Sequence, residues 1–65
     1  MKMFYTVLVD ERHTVRMESL LTNLRVGLND WDKTRAFEYY GARYVSYTIL
    51  CTEQTYETIM KYLYD

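Results

Sequence analysis

Proline is absent from the 65 residues, cysteine and histidine occur once each, and glycine occurs twice. Without a second cysteine no disulfide can staple the chain to itself, and a zinc site of His/Cys type lacks ligands, so the sequence calls for no metal and no cofactor. Charge is also nearly balanced. Eight Lys and Arg face nine Asp and Glu, for a net charge of −1. That excludes the one-signed excess of a duplex-DNA or anionic-membrane binder, and it is too weakly acidic to imitate nucleic acid. No apolar run approaches the roughly 20 residues of a membrane span. The opening MKMFYTVLVDE has no small-residue cleavage site and reads as a strand, not a secretory signal, so a cytosolic location is the default expectation.

What remains is a short chain rich in tyrosine, eight in all. Residues 1–65 are expected to form one domain with a thin core, because a chain this short buries only about 60% of the surface its unfolded form exposes. Small domains compensate with disulfides, metals or self-association. With the first two excluded, a homodimer or a bound partner is expected.

Met3 to Val9 is β-branched and aromatic and stops at Asp10-Glu11, which predicts a first strand. From Thr14, a plausible N-cap, Met17, Leu20, Leu21, Leu24 and Leu28 recur at three and four, the stripe of an amphipathic helix. Gly27 is placed at its C-terminal cap, and Asp30-Trp31-Asp32 as the turn that stops it. Thr34 to Tyr40 and Tyr44 to Cys51 flank Gly41 and predict a hairpin. A three-residue loop, Gly41-Ala42-Arg43, brings Phe37 and Tyr39 onto the same face as Val45 and Tyr47, since a slip of one residue reverses every side chain. This register puts Tyr39 and Tyr47 inside and Tyr40 and Tyr44 outside. Thr52 caps a last helix with Tyr56, Ile59, Met60 and Leu63 on its apolar stripe.

The fold class is therefore α+β. The order is strand, helix, strand, strand, helix, with a three-stranded sheet in the order 1-3-2 and both helices on one face, a ferredoxin-like plan lacking its fourth strand. Such a plan leaves Phe4 to Val9 as an open edge, and both alternating sets of the first strand are apolar, so its outer face is either covered by a partner or offered to one.

Catalysis has little to build on. His13 in DERHT reads as a solvated loop histidine, Cys51 sits on a core face, and no nucleophile, base and orienting group share a spacing that would assemble them. Arg12 and Arg16 read as solvent-facing. The expected function is a non-catalytic protein-binding protein, a regulator or inhibitor that occupies a partner's surface. Chains of this size are frequent among phage and mobile-element proteins aimed at host enzymes. The expected partner-binding residues are Phe4, Leu8, Tyr40, Arg43 and Tyr44. A structural homo-oligomer would use the same edge.

Tyr40-Gly41-Ala42-Arg43-Tyr44-Val45-Ser46-Tyr47 also resembles the third strand of the RNA-recognition motif, which reads basic-Gly-aromatic-small-aromatic-Val-x-aromatic. Gly41, Tyr44, Val45 and Tyr47 match it. Tyr40 stands where the motif has a basic residue and Ala42 where it has an aromatic. That resemblance implies single-stranded RNA stacked on the sheet, with Phe4 beside Tyr44.

Overall fold

The computed structural model describes residues 1–64. The first strand, β1, spans Met3–Asp10, and a 3-10 turn over Glu11–His13 leads into helix α1, Thr14–Asn23. A second 3-10 turn at Leu28–Asp30 leads into β2, Trp31–Lys33, followed by β3, Phe37–Tyr39, β4, Ala42–Cys51, and helix α2, Glu53–Tyr64. The class is α+β, as expected, but the antiparallel sheet has four strands and not three, in the order β1-β4-β2 with β3 also paired to β4.

The extra strand comes from a break in what the sequence suggested was one strand. From Lys33 to Phe37 the chain advances four residues, while the paired positions on β4 advance three, from Tyr47 to Tyr44. One residue is surplus, the defining count of a β-bulge. The Thr34 hydroxyl bridges the gap by accepting from the Ser46 N–H at 3.1 Å, while the Thr34 N–H donates to the Ser46 carbonyl at 3.0 Å. The odd offset also changes faces. Trp31 and Lys33 lie opposite Ile49 and Tyr47, on the core side, whereas Phe37 and Tyr39 lie opposite Tyr44 and Ala42, on the other.

The core is built by one side of the sheet and both helices. Val7, Val9, Val45, Tyr47, Ile49 and Cys51 from the strands meet Met17, Leu20 and Leu21 of α1 and Ile59 of α2, all buried. Burial raises the Cys51 thiol pKa and leaves that group inert. The Tyr47 hydroxyl donates to Glu18 Oε2 at 2.7 Å, and the Lys33 ammonium reaches the same oxygen at 2.7 Å. A buried tyrosine thereby satisfies its polar tip.

Of the three expected helix caps, two differ from expectation and one holds. Asp10, not Thr14, caps the entry: its carboxylate accepts from the Arg12 N–H at 2.9 Å, and Thr14 instead donates its hydroxyl to the Glu11 carbonyl. Thr52 does cap α2, accepting from the Thr55 N–H at 3.2 Å. At the end of α1 the terminating residue is Arg25 and not Gly27. Arg25 has φ 60°, its N–H donates to the Thr22 carbonyl, and the Val26 N–H donates to the Leu21 carbonyl. These two bonds define a Schellman motif, whose left-handed position favours glycine. Gly27 has φ −65°, and Leu28, expected on the helix stripe, is exposed. Arg25→Gly is therefore expected to stabilise the fold by about 1 kcal/mol, read as a rise in the urea midpoint at unchanged slope.

Candidate binding face

Both helices cover one side of the sheet, so the other is bare. In register order it presents Phe4 opposite Leu50, Thr6 opposite Thr48, Leu8 opposite Ser46, and Tyr44 opposite Phe37, with Tyr39 beside Ala42. The middle is polar, and the aromatic groups stand at the two ends. Phe4 is 73% exposed at one end. At the other, Tyr39 is half exposed, its ring 4.5 Å from that of Tyr40 and 6.3 Å from that of Tyr44, both edge-on.

This cluster revises the expected division of the tyrosines. Tyr47 is inside, as the alternation suggested, but Tyr39 is outside. The loop is two residues long, Tyr40-Gly41, because Tyr39 pairs directly with Ala42. Both loop residues have positive φ, 50° and 80°, as a type I′ turn demands. Asn-Gly is the usual pair there, and a bulky residue in that region is strained by roughly 1–2 kcal/mol. Tyr40 is nonetheless 91% exposed, so its ring gains little from packing in return.

Of the five expected partner-binding residues, Phe4, Leu8 and Tyr44 lie on the bare face and Tyr40 at its rim. Arg43 does not join them. Its position alternates with Tyr44 onto the helix side, where Nε lies 3.3 Å from each Glu11 carboxylate oxygen. Glu38 is likewise on the helix side, opposite Arg43. Phe37 and Tyr39, expected inside, belong to the face because the turn is two residues and not three, and Leu50 lies there as well, opposite Phe4. Within the strands the face carries Asp10 and Asp32 but no Lys or Arg, a departure from the basic groove that single-stranded nucleic acid requires.

His13 is exposed at the start of α1 and borders a shallow hollow of about 270 Å³ with Val9, Asp10, Tyr44, Leu63 and Tyr64. Arg12 pairs with Asp10 at 3.1 Å, and Arg16 lies 4.9 Å from the Tyr62 ring centroid. Among the described residues no three His, Cys, Asp or Glu side chains converge as a metal site would need, and no helix is long and apolar enough to cross a membrane. Comparison of the chain with family profiles, with curated proteins and with solved structures gives no match.

Two carboxylates set the response to pH. The Arg12 side-chain and backbone hydrogen bonds lower the Asp10 pKa to about 2, and hydrogen bonds from Lys33 and Tyr47 lower that of Glu18. A depressed carboxylate pKa stabilises the fold above its unfolded value, and that contribution is lost as pH falls through the folded one. Desolvation, then the Glu18 hydrogen bond, raises the Tyr47 pKa, and a raised value acts in the opposite sense. Urea melts are expected to show flat stability from about pH 5 to pH 8, with losses below about 4 and, as pH passes the unfolded values of the raised Cys51 thiol and then of Tyr47, above about 9. Unchanged stability at pH 3 would refute the roles given to Asp10 and Glu18.

Proposed function

We propose that this chain is a non-catalytic protein-binding protein, a regulator or inhibitor that works by laying the bare sheet face on a partner. The architecture fits a reduced ferredoxin-like plan whose second strand is split by the bulge. The observation that carries the reading is the uncovered aromatic cluster of Phe37, Tyr39, Tyr40 and Tyr44 opposite the helical layer. Tyrosine supplies large contact area with few rotamers to freeze, and a strained, exposed Tyr40 is costly to keep for stability alone.

The test is a pull-down with the tagged chain from its native host, with and without nuclease, beside a Tyr39→Ser/Tyr44→Ser variant shown folded by circular dichroism. A protein captured by the native chain, insensitive to nuclease and lost from the variant, is the expected result. The affinity loss at a hot-spot tyrosine is about 2 kcal/mol. Capture that disappears with nuclease would replace the reading with single-stranded RNA binding. Capture unaffected by the variant would refute the face.

A further inference from the structure

The open edge of the sheet is β1, and the ladder fixes which of its residues offer backbone groups to it. Ser46 directs its N–H and carbonyl to Thr34, away from β1. Its partner on β1, Leu8, is therefore in a non-hydrogen-bonded pair, and by the alternation of an antiparallel ladder Phe4, Thr6 and Leu8 turn their N–H and C=O groups outward. No proline or bulge protects this row. One group blocks it: the Tyr64 hydroxyl, from the last turn of α2, donates to the Leu8 carbonyl.

We propose that β1 pairs antiparallel with β1 of a second copy about a two-fold axis at Thr6, and that Tyr64 restrains this pairing by occupying the Leu8 carbonyl. The hydrogen-bonded pairs across the edge can join only even-numbered residues, which leaves few registers. With Thr6 opposite Thr6, Phe4 meets Leu8 of the other copy twice, and Lys2 at each end stands opposite Asp10. Shifting the axis to Tyr5 or Val7 sets Lys2 against Leu8, or Phe4 against Asp10, and loses both matches. Asp10 already holds Arg12, so Lys2 would join a carboxylate held ionised. The inference does not depend on what the bare face binds. It does enlarge that face, because a two-fold axis perpendicular to the sheet keeps both bare sides together, with Phe4 and Leu8 of both copies at the centre and a tyrosine cluster at each end.

Sedimentation and cysteine cross-linking of the full chain test the pairing. The native protein is expected to show a reversible monomer–dimer equilibrium, and Tyr64→Phe to tighten it by about tenfold, since one competing hydrogen bond is removed from each copy. Thr6→Pro deletes an N–H that serves only the outer edge and is expected to leave a folded monomer. Thr6→Cys is expected to form a disulfide dimer, because hydrogen-bonded partners stand about 5.5 Å apart at Cα. Phe4→Cys alone should not, as the two copies of that residue lie about 13 Å apart, but mixed with Leu8→Cys it should. A strict monomer for both the native chain and Tyr64→Phe at millimolar protein overturns the proposal. So does a dimer that survives Thr6→Pro, or equal cross-linking of Thr6→Cys and Phe4→Cys; should Thr6→Pro fail to fold, the cross-linking pattern decides.

Discussion

Tyr47→Ala is expected to destabilise the protein by about 3–5 kcal/mol. The ring is fully buried at the middle of β4, between Val7 on one neighbouring strand and Lys33 on the other, and its centroid lies 5.7 Å from that of Trp31. Truncation removes most of the side chain from a core that counts only ten buried residues among those described, and it also releases Glu18 from the hydroxyl that approaches it at 2.7 Å. A domain this small has a total stability near the lower end of the usual 5–15 kcal/mol, so the variant should be largely unfolded at room temperature. Tyr47→Phe separates the two contributions. It keeps the ring and loses one hydrogen bond to a charged group, for about 1.5–3 kcal/mol. Urea melts followed by circular dichroism measure both. Tyr44→Ala, three residues earlier on the bare face, is the control and should cost less than about 1 kcal/mol. If Tyr44→Ala melts the protein and Tyr47→Ala does not, the two faces of the sheet have been exchanged.

The contrast between Tyr47 and Tyr39 shows how far the sequence can be read. Tyr47 sits in an unbroken ten-residue strand, where period two alone separates core from surface, and Val45, Ile49 and Cys51 confirm the parity. Tyr39 lies beyond two features that each count residues, the bulge at Thr34 to Ala36 and the turn at Tyr40-Gly41. Hydrophobic patterning favoured a three-residue loop because that loop buries Phe37 and Tyr39. The chain instead adopts a two-residue turn at the cost of a left-handed tyrosine, and the patterning argument fails where these aromatic residues are left exposed. Trp31 was hidden for a related reason. Flanked by Asp30 and Asp32 it reads as a turn, but its position opposite Ile49 makes it the start of a strand. The α1 terminus departs from the pattern because Arg25 occupies the left-handed conformation that glycine favours, while Gly27, two residues later, does not. Sequence periodicity thus located the core and both helices, whereas local backbone choices at non-glycine residues decided the register of the hairpin and with it the membership of the bare face.

Ile59→Ala is expected to cost about 2–5 kcal/mol and to act through one element. Ile59 is the buried residue of α2 and is fully inaccessible. The other attachments are more exposed: Tyr56 stacks on Tyr5 with centroids 4.2 Å apart and planes 11° from parallel, and Arg16 covers Tyr62. A twelve-residue helix without such anchoring is marginal in water, so loosening it should return α2 toward coil before the sheet melts. Hydrogen exchange is expected to show amides of residues 53–64 losing protection first, with β4 retaining more. Release of α2 also withdraws Tyr64 from the Leu8 carbonyl, so this variant should self-associate more readily than the native chain under conditions where β1 stays folded. Uniform loss of protection across α2 and β4 would mean that the helix and sheet unfold as one unit. In that case Tyr64 could not act as an independent restraint on the edge through loosening of α2, and its influence would have to be sought in the side chain alone, through Tyr64→Phe.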